Sequence, residues 1–484
     1  MSTNLSKGDE QELSLPDVAI SALSTLRTMM TQSNRAQIRS IMQAVFDSLD
    51  KTNSWGKIDH CRWLAQVGVE WAQYPYRYAV PTLLIERLLE TSDFTSRPVH
   101  TALTSMIITV FTSTTPLVNI STSDVVSNLA SLIIRRAAVN PDDPLLPALV
   151  ESVGSLGTHV YYADQIQDLG IELISRLMAI ETRVGPGVCS EGRAQAIRGL
   201  LAGLLGLIQA ADAQSAKDTD EIDDSKTPDI SVALSNRKGE AKCGHKRVHP
   251  SRRTKISPEA WHDTLTLLCD GDYAIRADYA HALVSYIGSE IAREGNHPGP
   301  DGTRRRANTT EGVAKQTKTA TSIMYGNSVM GFLNALHACV STLATTTSLG
   351  IGKGVQNNIP TTSTLSQNRH TAGTKRLLDW LSAGPQSENS SSANLSDYGH
   401  VMNILVAVHE HLPISALVTG VPMLLALDNV SKEYREREPQ RYNALQEVLA
   451  RVWLTLGKIW DCALVLEEAA KVRRFFVFSE WMAK

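Results

Sequence analysis

The chain has 484 residues, 43% of them apolar, 6% aromatic and 20% charged, with a formal net charge of −3. That length holds about three ordinary domains or one elongated array of repeats, and so near-neutral a balance excludes any argument from global charge toward nucleic acid or membrane. Six scattered cysteines without a CxxC pair fit a reducing compartment. The start carries no apolar signal core or myristoylation glycine, and no uninterrupted apolar run approaches the roughly 18 to 20 residues of a membrane span.

Residues 1–12 read as a disordered N-terminus and 13–212 as a helical repeat region. After Pro16, which suits a first helical turn, Ala19, Leu23, Leu26 and Met30 recur at helical spacing. Asn34 is placed to cap a second helix striped by Ile38, Ile41, Met42, Val45 and Leu49. Further stripes follow at Val80, Leu83, Leu84 and Leu88; at Leu103, Met106, Ile107, Val110 and Phe111; and at Val125, Leu129, Leu132 and Ile133. The series continues with Ile166, Leu169, Ile174, Leu177 and Met178, then Ile197, Leu200, Leu201, Leu204 and Ile208. No alternating strand competes with them. Helix upon helix with short connections predicts an all-α fold, a HEAT/armadillo-like helical repeat rod or α-solenoid; a compact all-α domain is the competing architecture.

Three polar segments interrupt the pattern and are predicted to be disordered, because they have too little apolar area to offset chain entropy. Residues 213–256 pass from an acidic block to a basic one, residues 294–320 hold the Arg304 to Arg306 triplet, and residues 346–396 are rich in Ser, Thr and Asn with a short helix at 375–382. Between them lie a helix pair at 257–293 and a helix at 321–345, and residues 397–484 return to helical repeats, most clearly at Leu445, Leu449, Val452, Leu456 and Ile459. Within the pair, Asp272 is placed to cap a helix, Arg276 to reach an acidic partner in the neighbouring repeat, and Ile275, Ala280 and Leu283 to pack as a HEAT-type repeat helix does.

Catalytic motifs are absent as sequence patterns. Gly326 to Gly331 carries one residue too many for a nucleophile elbow and precedes no strand-to-helix turn. Gly350, Gly352, Lys353 and Gly354 match no phosphate-loop spacing. Cys243, His245 and His249 lack a fourth zinc ligand at finger spacing, and His409 and His411 around Glu410 read as a solvated helix end. The chain is accordingly expected to be no enzyme, with no cofactor, metal or small-molecule substrate. The basic residues Arg237, Lys238, Lys242, Lys246, Arg247, Arg252, Arg253 and Lys255 have no aromatic side chain among them to stack on bases. That tilts their use away from nucleic acid and toward anionic membrane lipids, against the blander reading of a solvated insertion. Arg306 and Thr309 fit a basophilic kinase site, and Asn308 to Thr310 form a glycosylation sequon that a cytosolic chain leaves unused.

Two stretches carry a family resemblance. Leu267 through Leu283 (LLCDGDYAIRADYAHAL) and Asn128 through Val160, with Ile133, Arg135, Arg136, Asp143 to Leu146 and Ser155 to His159, continuing through Tyr161 to Ile166, resemble the fungal Efr (eighty-five-requiring) family, whose animal relatives include rolling blackout. The resemblance runs through most of the helical portion, and this chain looks like the middle of the family's full-length members, without their basic N-terminal anchor or distal C-terminal part. It implies a non-enzymatic HEAT/armadillo-like scaffold, peripheral on the cytoplasmic face of the plasma membrane. Such a scaffold recruits the type III alpha phosphatidylinositol 4-kinase complex through a tetratricopeptide-repeat adaptor and so supports phosphatidylinositol 4-phosphate synthesis. The rival expectation is a soluble cytosolic helical-repeat adaptor in transport or complex assembly.

Overall fold

The computed structural model describes residues 14–91, 98–159, 162, 164–183, 191–224, 253–291, 316–345 and 396–475, and among them there is no strand. The fold is all-α. Contacts divide the chain into one unit at 1–128 and another at 129–484.

In the first unit, α1 (Leu15–Gln32), α2 (Arg35–Lys51), α3 (Ile58–Trp71), α4 (Ala79–Glu90) and α5 (Pro98–Thr112) run in order, and α6 (Thr122–Val139) carries the boundary. Asn34 does cap α2: its side chain accepts from the Gln37 amide at 3.1 Å, while the Gln37 side chain accepts from the Asn34 amide at 2.9 Å. Helices two apart in sequence lie side by side, α1 on α3, α2 on α4 and α3 on α5. Arg39 with Glu86 at 2.5 Å and Arg87 with Asp50 at 2.9 Å tie α2 to α4. The expected stripe of α1 needs correction. Met30 alone of its four residues is buried, and Leu15 stands 84% exposed, because only the far end of α1 meets a neighbour.

In the second unit the same rule of two holds. α7 (Leu146–Ser155), α8 (Gln165–Arg183), α9 (Glu191–Asp224), α10 (Pro258–His262), α11 (Tyr273–Ser289), α12 (Gln316–Thr345), α13 (Ser396–His411), α14 (Pro413–Arg437), α15 (Pro439–Ile459) and α16 (Ala463–Phe475) follow one another. α9 packs on α7 and α11, α13 on α11 and α15, and α14 on α12. α9, α11, α13, α14 and α15 each stack on the helix two places earlier, and α16 packs on α15, which is how helical repeats bury apolar faces that no single hairpin could cover.

Between Ile197 and Ile208, α9 is apolar on nearly every side because it is enclosed there: Ile197, Leu200, Leu201, Leu204, Leu205, Leu207 and Ile208 are all buried. Its approach to α7 is set by glycine. A Cβ on Gly154 would stand 3.2 Å from the Gly206 Cα, and one on Gly157 would collide with the Leu207 carbonyl.

Element ends depart from expectation where the sequence is most polar. α9 continues through the acidic block to Asp224, residues 253–256 pack on the second unit, and α12 begins at Gln316. The expected helix at 375–382 lies outside the described residues. Although no long uninterrupted apolar run exists, Glu191–Gln214, Ser328–Thr345 and Pro413–Arg437 are each long and apolar enough, by length and composition only, to cross a membrane. Burial distinguishes them: 78% of the first window is enclosed by the protein, against 28% of the third.

Candidate functional site

α11 joins α9 to α13 in the second unit. The Asp272 side chain accepts from the Ala274 amide at 2.8 Å and starts the helix, and Ile275, Ala280 and Leu283 are buried on its faces. The Arg276 guanidinium grips both carboxylate oxygens of Asp397 on α13, at 3.0 and 2.7 Å, and donates to the carbonyls of Asp270 and Gly271. Two further arginines arrive from α9: Arg193 meets Asp270 at 2.6 Å and Arg198 meets Asp278 at 2.5 Å. Burial pushes the Asp278 carboxyl up to about 6, against the downward pull of Arg198. Trp261 stacks on Tyr286 with ring centroids 4.1 Å apart and donates to the Tyr279 hydroxyl, which also meets Thr264 at 2.7 Å.

This array is a fastening. Each of these arginines meets a carboxylate from another helix or turn, so the pairs fix which helices meet and at what rotation. The same device recurs at Arg136 and Asp143, 2.6 Å apart with both side chains 2% exposed.

The basic block is only partly visible, and there it departs from the lipid-contact expectation. Arg253 is buried, bonded to Glu290 at 2.5 and 3.0 Å and to Asp212 at 2.9 Å. Lys255 donates to the Ser289 carbonyl. A guanidinium with its donors committed to two carboxylates has no share left for phosphate, so Arg253 is a packing residue, while Lys255 is half-buried with one of its three donors on the Ser289 carbonyl. Arg237, Lys238, Lys242, Lys246, Arg247 and Arg252 lie outside the described residues, as do Cys243, His245 and His249, the Gly350 to Gly354 cluster, Arg304 to Arg306 and Asn308 to Thr310. Among the described residues no three His, Cys, Asp or Glu side chains gather as a metal site. Ser328 lies inside α12, where the helical backbone offers no strained turn for a nucleophile.

His409 is not the solvated residue its position near a helix end suggested. It is fully enclosed beside His337 of α12, and neither imidazole has a hydrogen-bond partner on either nitrogen. Both approach α14 at Gly420, where a Cβ would stand 3.2 Å from His409 Cε1 and 3.3 Å from His337 Cε1. Desolvation lowers each to about 4, and for His409 the neighbouring His337 adds to the effect.

Sequence reasoning also missed an exposed apolar stripe. On α14, Ile414, Val418 and Leu425 are 56%, 60% and 54% exposed, and no charged residue occurs from Pro413 to Leu427. On α1, Leu15, Val18, Ile20, Leu23 and Met29 are exposed likewise. Their spacings are visible in the sequence; that they face outward is decided by what packs behind them.

No protein-family model and no solved structure matches the chain. Curated relatives do. Protein EFR3 of Cryptococcus neoformans var. neoformans serotype D is 31% identical across 94% of this chain, and that of Mycosarcoma maydis 25% identical across 96%. A shorter match, 28% identical over 31% of the chain, is to Protein EFR3 of Yarrowia lipolytica. The chain spans about half the length of the curated relatives it matches, 45% of the Cryptococcus protein and 49% of the Mycosarcoma one. With nearly all of its residues aligned to these proteins, helices and polar insertions together, the chain belongs to the EFR3 family.

Proposed function

We propose that this chain is part of a non-enzymatic scaffold, peripheral on the cytoplasmic face of the plasma membrane, that helps recruit and position the type III alpha phosphatidylinositol 4-kinase complex there. The mechanism is positional: holding an enzyme beside its lipid raises its effective concentration without any chemistry by the scaffold. The observation that carries the reading is 31% identity over 94% of the chain to an EFR3 protein, together with the earlier resemblance to that family. A frame pinned by buried Arg–carboxylate pairs fits a protein whose task is to keep surfaces in fixed relation. Contact with the kinase is assigned to a tetratricopeptide-repeat adaptor. Contact with anionic lipid is assigned to Arg237, Lys238, Lys242, Lys246, Arg247 and Arg252.

The test is depletion of the full-length protein in its own cells, with a fluorescent phosphatidylinositol 4-phosphate sensor and a tagged kinase as readouts. Loss of plasma-membrane sensor signal and dispersal of the kinase into the cytosol are expected, both restored by the intact gene. Unchanged sensor and kinase distributions would overturn the proposal and favour the soluble adaptor in transport or complex assembly.

A further inference from the structure

Cys269 ends the 3-10 turn Asp263–Cys269 that leads into α11, and Cys339 lies on α12, 70 residues further along the chain. The Cys269 thiol donates to the Cys339 carbonyl oxygen at 3.5 Å, so the side chain of one cysteine lies against the backbone of the other. The turn that ends at Cys269 packs on the helix that carries Cys339, so the two cysteines are neighbours in space. Both residues are half-buried, within reach of a small oxidant, whereas Cys61 is fully enclosed. Their surroundings are also unequal. The nearby Cys269 side chain favours the thiolate at Cys339 and holds its pKa below the ordinary thiol value, against desolvation; the Cys339 side chain, with burial, pushes Cys269 up. Arg276 and Asp397 act on Cys269 with opposite signs.

We propose that Cys269 and Cys339 are a modification site, a dithiol that a hydroperoxide closes to a disulfide and that cellular thiols reopen. The Cys339 thiolate attacks one peroxide oxygen; the S–O bond forms, the O–O bond breaks, and the departing hydroxide takes a proton to become water. The product at Cys339 is a sulfenic acid. Cys269 then loses its proton and its sulfur attacks the Cys339 sulfur; the S–S bond forms, the S–O bond breaks, and the leaving hydroxide takes up that proton as a second water. Two thiols and one hydrogen peroxide become one disulfide and two waters, with two electrons passing from sulfur to oxygen. The bond fastens the 3-10 turn before α11 to α12 and encloses residues 270–338 in a covalent loop, which restricts the unfolded chain and raises the melting temperature.

The purified full chain is treated with hydrogen peroxide, alkylated, digested and analysed by mass spectrometry. An intramolecular peptide pair joining Cys269 to Cys339 is expected, absent after dithiothreitol, with a higher melting temperature in the oxidised sample than in the reduced one. In Cys269→Ala the second step has no thiol, so Cys339 accumulates as a sulfenic acid trapped by dimedone; in Cys339→Ala neither product forms. Circular dichroism confirms that both variants keep their helical content. Full alkylation of both thiols after peroxide in the unmutated chain, or disulfides drawn from Cys61 or Cys462 instead, would overturn the proposal.

Discussion

Arg276 and Asp397 stand 121 residues apart in sequence and meet through two hydrogen bonds of 3.0 and 2.7 Å, with side chains 0% and 2% exposed. A pair so enclosed is costly to break from one side, because the survivor keeps its charge without water to solvate it. Arg276→Ala should lower stability by about 3 to 5 kcal/mol, measured by urea denaturation. The double change Arg276→Met with Asp397→Leu should recover much of that loss, since no charge is stranded. Equal destabilisation by the single and double variants would show that packing, not charge, is what the site requires.

Glycine positions separate by what a side chain would meet. Gly157→Ala drives a methyl against the Leu207 carbonyl and Gly154→Ala drives one against Gly206, so each should cost about 1 to 3 kcal/mol as α7 is pushed off α9. Gly331 lies exposed inside α12 with nothing within 4 Å of a Cβ. Gly331→Ala should therefore stabilise by about 0.5 to 1 kcal/mol, from helix propensity alone. Thermal melts of the three variants side by side check both directions.

Acid should loosen the junction of α12, α13 and α14. His337 and His409 titrate at about 4 in the folded chain and near 6.5 when unfolded. Between those values the unfolded state holds protons that the folded state refuses, so stability falls as pH drops from about 6.5 to 4. Asp278, raised to about 6, works in the opposite sense, because there the folded state binds the proton more readily. Two histidines against one carboxylate leave a net loss on acidification. Melting temperatures from neutral pH down to 4.5 should decline, and decline less in the variant carrying His337→Leu and His409→Leu. Parallel curves for the two proteins would remove the imidazoles as the source.

The lipid assignment makes a separate demand. Changing Arg237, Lys238, Lys242, Lys246, Arg247 and Arg252 to glutamine should reduce co-sedimentation with phosphatidylserine vesicles, and the unmodified protein should lose binding as salt rises. Neutral phosphatidylcholine vesicles should bind neither form. Changing Arg253 alone should unfold the Glu290 contact and lower stability without a specific lipid phenotype, because its donors are already committed inside the protein.

Much of the helical order was legible because it is written locally. The Asn34 and Gln37 cap is complete within four residues, and the stripe of Ile197, Leu200, Leu201, Leu204 and Ile208 needs only the helical period to be seen. α3 was harder to read, since its buried face is spelled by small residues, Cys61, Ala65, Gly68 and Val69. Partnership was not legible. Arg253 looks like one more cation of a basic run until Glu290, 37 residues away, is placed beside it. His409 looks like a helix-end histidine until α14 covers it at Gly420. In the same way, α1 shows a regular stripe whose burial depends on a neighbour that only its last turns meet.

Because each helix leans chiefly on neighbours one or two places along, a segment inserted between helices perturbs only the junction it joins. Lengthening such a segment costs little, since closure entropy grows only with the logarithm of its length. The stretches 225–252, 292–315 and 346–395 each leave from one helix or turn and return at another, and the frame they interrupt keeps its order across them. An architecture of this kind tolerates changes of length and composition between its helices without a change in how the helices pack.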